Sequence, residues 1–424
     1  MTSASLAAAL SERDAIRAEY AAKSAVNISR LLVASEPAVR ARIAPLFQLM
    51  GRNPPQIPVW AFADQVLGAF NGGEGANSFA QLAGIDGTLS KNTGMGDVSF
   101  EVRIIDEDSK LNLNGAAEGT PLAQDRYGAG FLGLTSPVQY NPLFEETDDD
   151  GQFTDRPTMC AAIADWTDLD ENVYGCNPLA DTPTSGGTED SYYDGLGLPY
   201  RRKNAPFDSL EELRLVRGVS DDFWATFVEP DTTDPDSRIM TVWGQSRVNV
   251  NTANALTLVA VICANAPEAT LCLDPVQLES FVMVVTLLRN AAPGVPLFTS
   301  PKGFVTALEG KGPMGPLLTS LGIEPVVFRS KREFRRQIST DSKVFSVYAD
   351  GVVKGYKRET RVRVHAVVDF RSAGELGAAL PGAEPTTVNG EPVEEESSGP
   401  PSDEEMAAAL ASDPAGTVVY YRVE

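Results

Sequence analysis

Residues 98–105, VSFEVRII, followed by residues 106–114, DEDSKLNLN, decide the fold. Val98, Phe100, Val102 and Ile104 alternate with Ser99, Glu101 and Arg103, the period-two pattern of a strand with one buried face. Asp106 to Ser109 read as a turn, and Lys110 to Asn114 alternate again with Leu111 and Leu113 on one side. The expectation is a hairpin or the rim of a sheet. Comparable strands return only near the end of the chain. Val344 to Val353 contains FSVYADGVV. In KRETRVRVHAVVDF (357–370), Val362, Val364, Ala366 and Val368 face inward, and Arg361, Arg363 and His365 face outward as exposed strand residues. Val418 to Val423 (VVYYRV) is a last short strand. Pairing early with late strands gives one antiparallel sheet.

Working outward, residues 5–50 read mostly as helix. Ile16, Tyr20, Ser24, Ile28, Leu31 and Leu32 recur at three- and four-residue spacing on one face. Glu36-Pro37 marks a break or a new first turn, and Pro45 is expected to kink or shorten the second piece. Residues 71–97, rich in Gly, Asn and Ser, read as loop. From Gly115 to about Thr340 helical patterns alternate with Pro/Gly/Asp loops, clearest at 210–216, 221–228, 253–264, 276–290 and 302–308. Residues 372–417 contain ten acids and no Lys or Arg, the composition of a solvated linker. No convincing internal repeat is visible. The fold class is α+β: a long N-terminal helix on an antiparallel sheet, with a large, mostly helical domain inserted between strands. The expected domains are 1–50 (helix), 51–114 (first part of the core), 115–340 (insert) and 341–424 (last part of the sheet, with the acidic linker).

Charge narrows the function. The chain has 424 residues, Lys+Arg 35 against Asp+Glu 58, and a net charge of −23. Such a chain repels phosphate backbones, which disfavours nucleic acid as a partner. One histidine, His365, excludes a multi-histidine zinc or iron site and argues against a catalytic triad. Many carboxylates suit a hard cation such as calcium. The four cysteines, Cys160, Cys176, Cys263 and Cys272, allow three pairings. The local one, Cys160–Cys176 and Cys263–Cys272, is expected and implies an oxidising compartment. Four free thiols in a cytosolic protein are the alternative. No run of 18 apolar residues is present.

The acids concentrate between Phe144 and Asp194. Asp168, Asp170 and Asn172 have the i, i+2, i+4 oxygen spacing of a calcium loop but lack the Gly and Glu that complete an EF-hand. Asp148, Asp149 and Asp150 read as a solvated turn. A second pattern, FDSLEELRLVRGVSDDF (207–223) with RVNVNTANALTLVAVI (247–262), reads as a helix-hairpin-helix-like unit. DNA-binding versions offer hairpin amides to phosphate beside cations. Here Asp221 and Asp222 oppose phosphate, so the element reads as structural or partner-binding.

The phrases FEVRIIDEDSKLNLN (100–114), ADWTDLDEN (164–172), EDSYYDGLGLPYRRKNAPFDSLEELRLVRGV (189–219), VNVNTA (248–253) and VVYYRVE (418–424) occur in this order. Together they resemble the type II secretion minor pseudopilin K family over roughly residues 98–424. The resemblance implies a pseudopilin core with an inserted helical domain, and no enzymatic activity. It implies a place at the tip of a periplasmic pseudopilus with minor pseudopilins I and J, and a surface for secreted cargo. It also implies calcium and a disulfide in the insert. Carried onto the matching phrases, the metal ligands are Asp165, Asp168, Asp170, Glu189 and Asp190. The loop 173–187, which holds Cys176, is longer than the family's usual one. Residues 1–50 match the soluble remainder of the family's N-terminal helix, with Ile16, Tyr20, Ile28 and Leu31 facing partner helices. The resemblance implies that the full-length protein is anchored in the inner membrane by a hydrophobic segment absent here. The rival readings are a calcium-dependent periplasmic hydrolase and a helix-hairpin-helix DNA-uptake protein.

Overall fold

A computed structural model describes residues 3–49, 51, 53–67, 97–147, 153–169, 172–178, 185–188, 191–196, 199–291, 294–355, 358–374, 387–388, 391–392 and 413–424. Its main elements begin with α1 (Ser3–Ala34), α2 (Glu36–Leu49), β1 (Val98–Asp106), β2 (Leu111–Asn112), α3 (Pro121–Thr135) and α4 (Arg156–Thr167). Next come β3 (Met240–Thr241), β4 (Val248–Asn249), α5 (Ala255–Asn265), α6 (Pro275–Ala291) and α7 (Pro301–Leu308). The chain ends with β5 (Ile338–Ser339), β6 (Val344–Gly355), β7 (Arg358–Asp369) and β8 (Thr417–Val423). These elements form two units: residues 1–105 with 343–424, and residues 106–342. Residues 106–114, expected with the core, fall in the inserted unit.

The first unit is a four-stranded sheet in the order β1-β6-β7-β8. β6 and β7 form a long antiparallel hairpin, with Val344 opposite Asp369 and Gly355 opposite Arg358. β8 runs antiparallel to β7, with a bulge between Val418 and Tyr420. The Lys354 amide donates to the Asp97 carbonyl at 2.9 Å, so β1 starts where β6 ends. Phe100, Val102, Ile104, Val347, Val364, Ala366 and Val368 bury their side chains with residues of α1 in one apolar cluster. The α1 stripe on the sheet is made of small residues: Ala18, Ala21, Ala22, Ala25 and Ser29 are all almost fully buried. The reason lies in β6. A Cβ on Gly351 would come within 1.8 Å of the Ala18 carbonyl oxygen, so helix and strand approach to backbone contact and exclude larger side chains. Pro45 lies inside α2, which runs on past it to Leu49. His365, expected at the surface, is buried between Tyr348 (ring centroids 4.1 Å apart) and Tyr420 (5.1 Å). The aromatic side chains of the two flanking strands cover that face.

The second unit has a repeat that the sequence hides. In its first half, β2 pairs in parallel with β3, Leu111 opposite Met240. In its second half, β4 pairs in parallel with β5, Val248 opposite Ile338. After β2, the Asn112 side chain accepts from the Asn114 amide at 3.0 Å; after β4, the Asn249 side chain accepts from the Asn251 amide at 3.0 Å. Asn114 then clamps the Phe207 backbone, accepting from its N–H at 2.8 Å and donating to its carbonyl at 3.0 Å. Asn251 clamps Phe298 in the same way, at 2.9 Å in both directions. Each half has its own apolar cluster and its own disulfide, Cys160–Cys176 in the first and Cys263–Cys272 in the second. The expected pairing of β2 back onto β1 is therefore corrected. β2 belongs to this repeated strand-turn-helix frame, and its partner is β3.

The two halves pack through α3 and α5, where a Cβ on Gly133 would lie 2.3 Å from the Ala260 carbonyl oxygen. The stretch expected as a helix at 210–216 is a single 3₁₀ segment, Leu210–Leu215. Gly218 follows with φ +86, then Ser220 caps Asp221–Phe223, which continues into a π-helical stretch at Trp224–Val228, so the second helical stretch has the expected bounds.

Candidate functional site

Two places answer to the expected site residues, one in each unit. On α1, Ile16 is 46% exposed, Tyr20 66% and Leu31 47%, all on the side away from the alanine stripe. Ile28 differs: it is half-buried and packs against the sheet cluster. Apolar side chains left in water along one side of a helix form a surface suited to another helix. Nearby cations and anions flank them: Lys23 pairs with Glu19 at 2.6 Å, and Arg17 with Asp97.

In the inserted unit the carboxylates gather at the end of α4. This helix starts where Asp155 accepts from the Thr158 amide at 2.9 Å, with Pro157 in the first turn. Its last buried positions are Asp165, Trp166 and Thr167, and Asp168 caps its end, its amide bonded to the Ala164 carbonyl at 3.0 Å. Asp165 accepts from the Tyr174 amide at 2.8 Å, and Asp168 from the Gln124 side chain at 2.9 Å. Both acids are buried, at 6% and 1% exposure. Tyr174 sits on a short hairpin, Asn172–Tyr174 with Ser185–Thr188, which the Cys160–Cys176 bridge fastens to α4. Burial, and after it the charge of Asp125, raise the Tyr174 phenol well above its ordinary value, so it stays a neutral donor.

The structure places Asp165 and Asp168 three residues apart at the same end of α4. Asp170, Glu189 and Asp190 lie outside the described residues, as do Asp148, Asp149 and Asp150. Among the described residues, no group of three or more His, Cys, Asp or Glu could hold a metal ion. The two acids fit a hard cation in donor chemistry. They also sit at a helix C-terminus, where the backbone dipole is negative and a cation is favoured. The Ser346 hydroxyl lies 3.3 Å from His365 Nε2, and both residues are buried. Among the described residues, no helix is long and apolar enough to cross a membrane. Reading the acids alone misses Trp166, Arg202 and Arg217, which line one cavity with Asp165.

Comparison with known proteins completes the picture. Residues 109–228 match the family described as "Type II secretion system (T2SS), protein K". A type II secretion system protein K of Aeromonas hydrophila is 29% identical over 172 residues, which is 39% of this chain and 46% of that protein. The chain therefore spans less than half the length of this relative. A solved structure, the GspK-GspI-GspJ complex of the enterotoxigenic Escherichia coli type 2 secretion system, is similar at a TM-score of 0.40 and 18% identity. That match covers 64% of this chain and 75% of the other. The matched segment begins in the turn before β2 and runs through the first repeat half to the hairpin after Gly218. Over residues 109–228 this chain is similar to the type II secretion system protein K family.

Proposed function

We propose that this chain is the periplasmic part of a minor pseudopilin of a type II secretion system, a non-enzymatic subunit. It assembles with minor pseudopilins I and J at the tip of the pseudopilus and initiates or caps it during export. The observation that carries this reading is the division of α1 into two faces. Its alanines meet the sheet, and Ile16, Tyr20 and Leu31 remain in water on the other side. A monomer gains nothing from that arrangement, whereas a bundle of pseudopilin helices buries those side chains. The two disulfides suit an oxidising compartment such as the periplasm. The inserted unit adds bulk to the subunit and a surface for cargo.

The test is size-exclusion chromatography of this chain with soluble minor pseudopilins I and J. The expected result is a stable ternary complex that the double variant Ile16→Glu/Tyr20→Glu loses while keeping its circular dichroism and melting temperature. A folded double variant that assembles as well as the parent would sink the role of α1. Absence of any pairwise or ternary complex would sink the function itself.

We propose further that Asp165 and Asp168, with Asp170, Glu189 and Asp190, hold calcium. Bound there, the ion neutralises carboxylates and fixes the loop conformation, and it performs no chemistry on a substrate. Binding only the folded state stabilises by about 2.7 kcal/mol at a hundredfold excess over the dissociation constant. EGTA should therefore lower the melting temperature, and added calcium should restore it. An identical melting curve with and without chelator contradicts the proposal.

A further inference from the structure

A cavity of about 290 Å³ opens beside α4, between that helix, the Asn172–Tyr174 strand and residues 192–217. Its walls are aromatic: Trp166 and Tyr193 have ring centroids 6.0 Å apart, and Tyr192 and Tyr193 lie edge to face at 5.4 Å. Two guanidiniums, Arg202 and Arg217, and one carboxylate, Asp165, also line it. Among the described residues the lining therefore has two cations to one anion, in a chain whose net charge is −23.

Two donors at this cavity lack an acceptor among the described residues. Trp166 is 3% exposed, and its indole Nε1 is buried and makes no hydrogen bond. The Nε of Arg217 is also buried and makes none. The Arg217 guanidinium lies over the Tyr192 ring at 4.5 Å. Its backbone amide donates to the Tyr193 hydroxyl at 3.3 Å, so its start is fixed relative to the cavity wall. Buried donors are almost always paired, and the exceptions mark a place where an acceptor belongs. A cavity elsewhere lined by an indole N–H and a guanidinium fork is matched best by a planar anion with two acceptor oxygens. Among the described residues the one anion lining the cavity, Asp165, already accepts the Tyr174 amide.

We propose that this cavity binds a carboxylate carried on a short aromatic or aliphatic stem. The oxygens meet Arg217 and the Trp166 indole N–H, and the stem lies against Tyr192 and Tyr193. The inference goes beyond the pseudopilin reading and does not need it. It rests on side chains of the inserted unit and stands or falls separately from assembly. A carboxylate of this kind has two sources in protein chemistry, a free chain terminus and a Glu or Asp side chain.

The experiment uses the whole chain with three small probes. These are N-acetyl-phenylalanine (a terminal carboxylate), N-acetyl-glutamate α-amide (a side-chain carboxylate) and N-acetyl-phenylalaninamide (neutral). Binding is read from the indole N–H resonance of Trp166, assigned by its disappearance in Trp166→Phe. The expected result is that at least one acid shifts that resonance and binds tenfold or more tightly than the neutral amide. Whichever acid does so names the source. Arg217→Gln should weaken the acid by about tenfold or more, the loss of one charge-assisted hydrogen bond. The proposal is overturned if neither acid shifts the resonance at millimolar concentration, or if the amide binds as well as the acids. It also fails if a folded Arg217→Gln binds unchanged. Should that variant not fold, the comparison of acid with amide on the parent protein still decides.

Discussion

The two halves of the inserted unit share one frame and differ in what hangs from it. Both begin with an alternating strand, both turn on an Asn, and both hold a distant Phe backbone with the next Asn. The first half then spends residues 136–206 between its helix and the clamped Phe207, and the second only residues 266–297 before Phe298. The longer excursion contains α4, the carboxylates, the cysteine-fastened hairpin and the aromatic cavity. The shorter one contains α6, whose inner positions Phe281, Val284 and Val285 fill the core. A frame closed by backbone hydrogen bonds tolerates a long surface excursion at small entropic cost, because loop closure grows only slowly with length. Chemistry could therefore accumulate in one half while the other remained a packing element.

The sharpest way to break this comparison is at the seam. Gly133 on α3 faces the Ala260 carbonyl of α5 with no room for a methyl group, and the obstacle is backbone. Gly133→Ala should destabilise the inserted unit by about 3 kcal/mol or more, since overpacking against backbone cannot be relieved by a rotamer change. Thermal melting with far-UV detection checks it. A melting temperature within a degree of the parent would show that the halves do not depend on this crossing. Gly130 is a useful control: its Cβ would meet only the Leu111 side chain, at 2.9 Å, and a side chain can shift.

The clamps come next. Asn114→Ala removes the Phe207 clamp and also a 2.7 Å bond to the Val242 carbonyl, whereas Asn251→Ala removes the Phe298 clamp alone. With about 1 kcal/mol per hydrogen bond, and more where a buried group is left unpaired, the costs should be about 3 and about 2 kcal/mol. Urea denaturation of both variants tests the order. Equal losses would mean that the Val242 bond adds nothing. A larger loss at Asn251 would reverse the reading that the first half is tied down harder because it holds the longer excursion.

Sequence and structure agree where a pattern has a single physical meaning. The period-two runs at Val98–Ile105 and Arg358–Asp369 became strands of one sheet because each has one apolar face to bury. Of the DxDxN residues, the structure describes Asp168 at the end of α4 and Asn172 at the start of the short hairpin. The repeat stayed hidden because its likeness is in hydrogen bonds. Only KLNLN and RVNVN look alike, and the clamped partners lie far along the chain. α3 was missed because Gly128, Gly130 and Gly133 lower helix propensity, yet the same glycines let Tyr174, Leu111 and α5 come close. His365 was assigned to the surface by alternation alone, which cannot report that Tyr348 and Tyr420 on neighbouring strands would close over it. Trp166 and Arg217 carry no spacing signal. Their shared cavity is a product of the fold.

A test by pH concerns Asp106, which ties the entry of the first half to the turn of the second. Its carboxylate accepts the Thr252 hydroxyl at 2.5 Å, the Asp108 amide at 2.9 Å and the Ser342 hydroxyl. Burial, and after it the charge of Asp108, push its pKa up to about 8. Glu107 and Lys110 stand beside it in sequence and pair with each other at 3.2 Å, so that lysine is already engaged. The native state therefore keeps a proton on Asp106 that the unfolded chain gives up near pH 4. Between those values the folded state binds more protons, so stability falls as pH rises, by at most about 1.4 kcal/mol per pH unit, and levels off above 8. Asp106→Asn mimics the protonated acid. It should leave stability near pH 4 almost unchanged and flatten the decline from 4 to 8, as read from urea midpoints across that range. An unaltered slope would mean that Asp106 is ionised in the native protein and that some other group links the two halves to pH.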